Sequence, residues 1–106
     1  MFKLIKTQQR PHTHVLFFNE VTLETTAADT SYFIKNYKDT GKFVSSSRTL
    51  SEDMLTSTHV TIWRSHEDFL DVLTDSRYYD NVILPSRAYD DENNILSITI
   101  AESEQL

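Results

Sequence analysis

Residues Thr56 to Tyr79 decide the fold: Thr-Ser-Thr-His-Val-Thr-Ile-Trp-Arg through Arg64, then Ser-His-Glu-Asp-Phe-Leu-Asp-Val-Leu-Thr-Asp-Ser-Arg-Tyr-Tyr. The first nine residues are rich in β-branched and aromatic side chains. Val60 and Ile62 fall on one face, and His59, Thr61 and Trp63 on the other, which is the period of a strand. At Ser65 the period changes. Ser65 and Asp68 stand in capping-box spacing, and Phe69, Val72 and Leu73 follow at helical intervals. A strand that ends in Trp therefore turns directly into a capped amphipathic helix.

Working outward, Met1 to Arg10 contains Phe-Lys-Leu-Ile-Lys, a short edge strand ended by Pro11. His14 to Glu24, with the run Val15-Leu16-Phe17-Phe18, is the expected first main strand. Thr26 and Asp29 open a helix through Tyr32, Phe33, Ile34 and Tyr37. Gly41, the one glycine in the chain, lies where a left-handed residue closes a helix. Phe43 to Leu50 reads as the second strand, and Ser51-Glu52-Asp53 as a polar turn into the third. A further helical segment from Asp75 or Ser76 through Tyr79, Val82 and Ile83 is expected to stop before Pro85. Ser86 to Asn94 reads as polar connection, and Ile95 to Ala101 as the last strand.

The order is β-α-β-β-α-β, an α+β, ferredoxin-like arrangement within residues 1–106: a four-stranded antiparallel sheet with helices on one face. Such a sheet normally leaves its other face wet. Here Val15 and Phe17 would oppose Leu16 and Phe18 across strand one, and Leu96, Ile98 and Ile100 would oppose Ile95 and Ala101 across the last. Two greasy faces predict a homodimer with its sheets face to face, a dimeric α/β barrel.

Composition narrows the function. A net charge of −6, with ten scattered Lys and Arg, argues against a nucleic-acid partner. The absence of cysteine removes disulfides and thiolate chemistry. No apolar run approaches the ~20 residues of a membrane span and no signal-peptide core is evident, so a cytoplasmic protein without a membrane partner is expected. A single glycine excludes phosphate loops and dinucleotide fingerprints.

The segment Val60-Thr61-Ile62-Trp63-Arg64-Ser65-His66-Glu67-Asp68-Phe69 resembles the strand-Trp-x-Ser-x-Glu-x-Phe signature of the dimeric α+β barrel superfamily, which includes antibiotic-biosynthesis-monooxygenase-like proteins. The element order extends the similarity over residues 13–101. What the resemblance implies is a homodimer with a small apolar pocket between each sheet and its helices. It also implies one of several activities: cofactor-independent oxygenation, haem degradation, isomerisation, or none. For the haem-degrading branch, Asn19 and Trp63 match the first-strand Asn and third-strand Trp. The helix after Ser65 departs from it, offering His66 in its first turn and Leu73 and Thr74 later. No cofactor is therefore expected.

Candidate residues each carry two readings. Trp63 is a pocket wall with an indole donor or a core anchor. His59, two residues before it, is a general base or a half-exposed strand histidine. Asn19 faces a pocket or marks a strand end. Tyr32, Tyr37 and Phe69 line a substrate pocket for a small apolar or aromatic ligand, or form core. Arg48 pairs an anionic ligand or an acidic neighbour across the dimer. His12 and His14 make at most a weak metal pair, and Asp90-Asp91-Glu92 reads as a solvated loop without calcium spacing. No Ser-His-Asp or paired-carboxylate arrangement is legible. Two functions remain: a small-molecule-binding barrel acting as a cofactor-independent monooxygenase-like enzyme, and a non-catalytic dimeric module for assembly or regulation.

Overall fold

The computed structural model describes residues 1–21 and 26–104. Its first strand, β1 (Phe2–Gln9), buries Phe2 and Leu4 on one face, while Lys3 and Ile5 point the other way. After a 3-10 turn at Phe18–Glu20 come α1 (Thr26–Phe33), β2 (Phe43–Leu50) and β3 (Thr56–Trp63). Then follow α2 (His66–Leu73), α3 (Ser76–Tyr78), α4 (Leu84–Glu92) and β4 (Leu96–Glu104). The strands lie in the order β2-β3-β1-β4, with each neighbouring pair antiparallel. This is the ferredoxin-like α+β arrangement, with β3 inserted between the two strands that α1 connects.

Two expectations are corrected. The first main strand is Phe2–Gln9 at the centre of the sheet, not His14–Glu24, and the segment read as an edge strand is therefore central. One face of a covered sheet needs only every second residue apolar, which Phe2 and Leu4 supply. The greasier run after Pro11 instead plugs a gap. Phe17 is fully buried beneath the Arg10 guanidinium, whose Cζ lies 4.7 Å from the ring centroid, and Phe18 enters the 3-10 turn. Arg10 also donates to Met54 O (2.8 Å) and Val15 O (2.9 Å), tying this connection to the β2–β3 hairpin. The dimer argument drawn from residues 15–18 falls with that strand.

The second correction concerns Pro85. The helix does not stop before it, and Ser86–Asn94 is mostly helix rather than connection. Residues Tyr79–Ile83 form a wide π-helical turn in which the Leu84 N–H reaches Tyr79 O. Pro85 then occupies the first turn of α4, where its missing N–H costs least. A similar wide turn, Ile34–Lys38, continues α1, and the chain then leaves through Gly41 at φ 81°.

The Ser65 cap is present: its Oγ accepts the Asp68 N–H at 3.2 Å. The Asp68 carboxylate takes the Arg64 guanidinium at 2.8 and 3.1 Å, fixing the corner between β3 and α2. Below that corner, Phe2, Leu4, Tyr37, Trp63, Phe69 and Val72 form the core, with Phe33, Phe43 and Tyr78 packed against it. Trp63 is the hub. Phe2 and Phe43 are its cross-strand partners, and its ring lies 5.1 Å from Phe43 and 5.5 Å from Phe69. With the indole only 5% exposed, Trp63→Ala should cost ~3–5 kcal/mol of stability in urea unfolding. A loss below ~1 kcal/mol would show that the cluster does not hold the fold together.

Candidate functional site

The helix-covered face of the sheet divides into two halves. In the aromatic half the rings of Phe2, Tyr37, Trp63 and Phe69 are buried and pack together. The Trp63 indole N–H donates to Thr61 Oγ1 at 3.0 Å, so its donor is used within its own strand. Phe69 stacks on Phe2 at 5.3 Å. Tyr32 and Tyr37 both donate their hydroxyls to Asp75 Oδ2, Tyr32 at 2.7 Å. Burial raises the Tyr37 pKa first, and the bond to Asp75 adds to it. Burial of Asp75 works to raise its own pKa, but the two hydroxyls and the Tyr78 and Arg77 N–H groups outweigh it and hold it below the usual carboxylate value. The structure thus places Tyr37, Phe69 and Trp63 in one packed core with Tyr32 against it, the two tyrosines sharing Asp75.

The other half carries chemistry. Pairing sets Arg48 opposite His59 and His59 opposite Lys6. Three basic side chains therefore stand abreast on β2, β3 and β1. They share the face of Leu4 and Thr61, because each is two residues along from a residue on that face. Like charges directly across a sheet repel, so this row is costly unless something compensates it. Burial pushes the His59 imidazole down to about 4, helped by Arg48 and Lys6. Burial also lowers the Lys6 pKa, with Arg87 of α4 adding to the effect and Glu102 opposing it. Arg48 is lowered by burial and raised by Glu20. Three cations thus face two carboxylates around a neutral imidazole, in a chain whose net charge is −6.

Beside this row lies an open cavity of about 320 Å³ lined by Glu20, Arg48, Thr49, Leu50 and Ser57. Ser57 is two residues from His59 on the same face of β3 and pairs with Gln8 of β1. The Gln8 Nε2 donates to Asp90 Oδ2 at 3.1 Å. Asp90 is 8% exposed, and its Oδ1 has no hydrogen-bond partner among the described residues. Burial raises its pKa, Gln8 opposes this and Asp91 adds to it. The residue read as part of a solvated acidic loop is therefore a buried carboxyl on the inner side of α4. Tyr89 of the same helix donates to Leu16 O at 2.5 Å, and its ring meets Phe18 at 5.7 Å, which steadies the connection bearing Glu20.

Of the sequence candidates, the structure brings His59 and Arg48 together and sets them apart from the tyrosines and Phe69. Asn19 belongs to the 3-10 turn rather than to a strand, and its side chain lies outside the described residues. The Thr26 side chain, read as a cap, lies outside them as well. His66 packs on Phe2 with ring centroids 4.7 Å apart in the first turn of α2, away from the later turn that the haem-degrading pattern requires. His12 and His14 stack at 5.0 Å, and the described residues contain no group of three or more His, Asp or Glu arranged for a metal. No described helix is long and apolar enough to cross a membrane.

Lys6, Gln8, Glu20, Ser57 and Asp90 were missed. Lys6 and Gln8 sit in a strand read as peripheral, and only the pairing register sets them beside His59. Asp90 was hidden by the expectation that Pro85 ends the helix.

Two pH dependences follow. His59 should titrate near pH 4 by NMR, and Arg48→Gln should move that value upward; an ordinary value near 6.5 would mean a solvated imidazole. Because its folded pKa is depressed, the fold should lose stability as pH falls from about 6.5 towards 4, through this group. Asp90 has the opposite sign. Its folded pKa is raised, so its contribution worsens as pH rises through that value. Asp90→Asn should therefore raise the melting temperature at pH 7, with a smaller gain below pH 4; a lower melting temperature at pH 7 would contradict this.

The chain matches no protein-family model, and no curated protein matches it in sequence. Solved structures do share its fold. One is SnoaB, a cofactor-independent oxygenase from Streptomyces nogalater, with a TM-score of 0.64, 12% identity, and coverage of 99% of this chain and 92% of that one. Another is a dimeric ferredoxin-like protein from an uncultured marine organism, with a TM-score of 0.56, 6% identity, and coverage of 96% and 92%. These likenesses bear out the resemblance at the level of the fold.

Proposed function

We propose that this chain is a homodimeric α/β-barrel protein that binds a small organic acid in the cavity beside Arg48, and that His59 acts there as a base in oxygenase-type chemistry without a cofactor. The observation that carries this reading is the strand register that sets His59 between Arg48 and Lys6, two residues from Ser57, which lines the cavity together with Arg48. An imidazole with a value near 4 is a weak base, yet it is unprotonated at pH 7 and free to accept a proton. As the proton moves, the substrate becomes an anion beside Arg48 and Lys6. The anion offsets the repulsion those cations exert on imidazolium, so loss of the proton and stabilisation of the anion support each other. The resulting carbanion gives an electron to dioxygen, and recombination yields a hydroperoxide. Loss of water then leaves one oxygen atom as a carbonyl and releases the other. SnoaB, with the same fold, is a cofactor-independent oxygenase, which supports this choice of chemistry.

The homodimer rests on the open face of the sheet. Leu96, Ile98 and Ile100 of β4 are 61%, 59% and 59% exposed. Pairing sets Ile98 beside Thr7, and puts Ile5 beside Val60 on the same face. A second copy of the same face would cover this patch, and the marine ferredoxin-like neighbour is dimeric. Light scattering should give twice the 12.4 kDa chain mass, and Ile98→Asp should shift it towards the monomer. A monomeric wild-type chain at micromolar concentration would remove this part of the proposal.

A second reading, a binding module without catalysis, is favoured by the packing of Trp63, whose donor is spent on Thr61. Oxygen uptake separates the two. Under air and with a chelator present, acidic phenols and 1,3-diketones should be consumed with one dioxygen each, and His59→Ala should lower the rate at least ~100-fold, in line with general-base catalysis. Binding without uptake supports the module. Uptake that survives His59→Ala eliminates this imidazole as the base.

A further inference from the structure

Glu20 is the charged residue of the cavity wall that the base chemistry leaves unused. It lines the cavity together with Arg48, and both residues are exposed, so a molecule that enters meets both charges. Arg48 and Leu50 lie two residues apart on one face of β2, and Ser57 of β3 pairs with Leu50. Glu20 comes from a different segment, the 3-10 turn Phe18–Glu20. The two charges act on each other, since Glu20 favours the charged form of Arg48. Among the described residues, however, no ion pair or hydrogen bond joins the two side chains. The turn that carries Glu20 is held in place: the Glu20 and Val21 N–H groups donate to Phe17 O at 2.9 Å and Phe18 O at 3.1 Å. Phe17 is buried and the Phe18 ring meets Tyr89, which pins the start of that turn. Opposite charges thus border a space of about 320 Å³ without closing it, and that volume suits a small molecule.

We propose that the cavity selects small zwitterionic acids, with a carboxylate received by Arg48, an ammonium group received by Glu20, and a short hydrocarbon link against Leu50. This rests on the reading of the Arg48 cavity as the ligand site and adds a second charge to the class of acid it takes. A plain carboxylate is attracted by Arg48 but repelled by Glu20, and a plain amine meets the reverse. Only a molecule that carries both charges gains from both walls, so the pair discriminates as well as binds. An ionised carboxylate accepts hydrogen bonds and an ammonium group donates them, which makes the second contact charge-assisted. Glu20 is thus a specificity-determining residue that reads the ligand's cationic end and takes no part in the proton transfer at His59.

NMR titration at pH 7 and low ionic strength tests this with three probes of one skeleton: butanoate, butylamine and 4-aminobutanoate. Wild type should bind 4-aminobutanoate about tenfold more tightly than butanoate, as one charge-assisted hydrogen bond would give. Butylamine controls for attraction of any cation to a chain of net charge −6, and it should also bind more weakly than 4-aminobutanoate. Glu20→Gln should abolish the preference and bind butanoate more tightly than wild type does, because the repulsion is gone. A variant that merely disturbed the fold would weaken both acids, so this gain separates recognition from structure. Arg48→Gln should weaken both acids. Equal binding of butanoate and 4-aminobutanoate by wild type overturns the role of Glu20 and leaves the acid site standing. A preference that survives Glu20→Gln does the same, as does butylamine binding as tightly as 4-aminobutanoate. Failure of both acids to bind overturns this inference and the site on which it rests.

Discussion

The packing of Trp63 against Phe2, Phe43 and Phe69 is the constraint from which the rest of this structure follows. Three large rings on three adjacent elements pack around the indole between sheet and helices at one end. Trp63 spends its single donor on Thr61. Tyr32 and Tyr37 spend theirs on Asp75, which also caps α3. Burial of polar tips is thereby matched by bonds within the cluster, as aromatic cores require. Polar chemistry is displaced to the other end of the same face, where Ser57, His59, Lys6 and Gln8 replace the rings.

That displacement explains the electrostatics. A row of Arg, His and Lys on neighbouring strands would be unremarkable in water, where repulsion is screened. Under a layer of helix the repulsion persists, and the group that yields most easily is the imidazole, which gives up its proton. The carboxylates that temper the row, Glu20 and Glu102, come from the turn before α1 and from the end of β4. Each basic group therefore depends on a segment distant in sequence. A buried carboxyl without a full set of partners completes the picture at Asp90, where the same low polarity pushes in the other direction.

Much of the fold was legible from local chemistry. The Ser65 cap, the alternation from Thr56 to Trp63, and the polar turn at residues 51–53 are short-range signals that the tertiary structure leaves in place. The first strand was not legible, because it is less hydrophobic than the run from Val15 to Phe18. Val15 to Phe18 is the greasier run, but a chain leaving a proline turn can use such residues as a plug. Phe2 and Leu4 were enough for a strand covered on one side. Pro85 misled for a related reason: a wide π-helical turn just before it allows the helix to go on. Of the site, His59 and Arg48 were visible as residue types. Their juxtaposition with Lys6 depends on register, which no spacing within one strand can reveal. Asp90 needed the course of α4 to be known first.

Arg10 lies outside both the rings and the basic row, yet it bears on how the site responds to its surroundings. Its guanidinium is buried against Phe17 and satisfied by the carbonyls of Met54 and Val15. Peptide oxygens do not titrate, so this clasp is indifferent to acidity, unlike the imidazole and carboxyl nearby. It also grips Met54, whose φ of 63° is an uphill conformation for a side chain of that kind. The hairpin tip and the segment leading to Glu20 are thus latched together by contacts that hold through any acid or base step. The rim of the cavity can keep its shape while the charges inside it change.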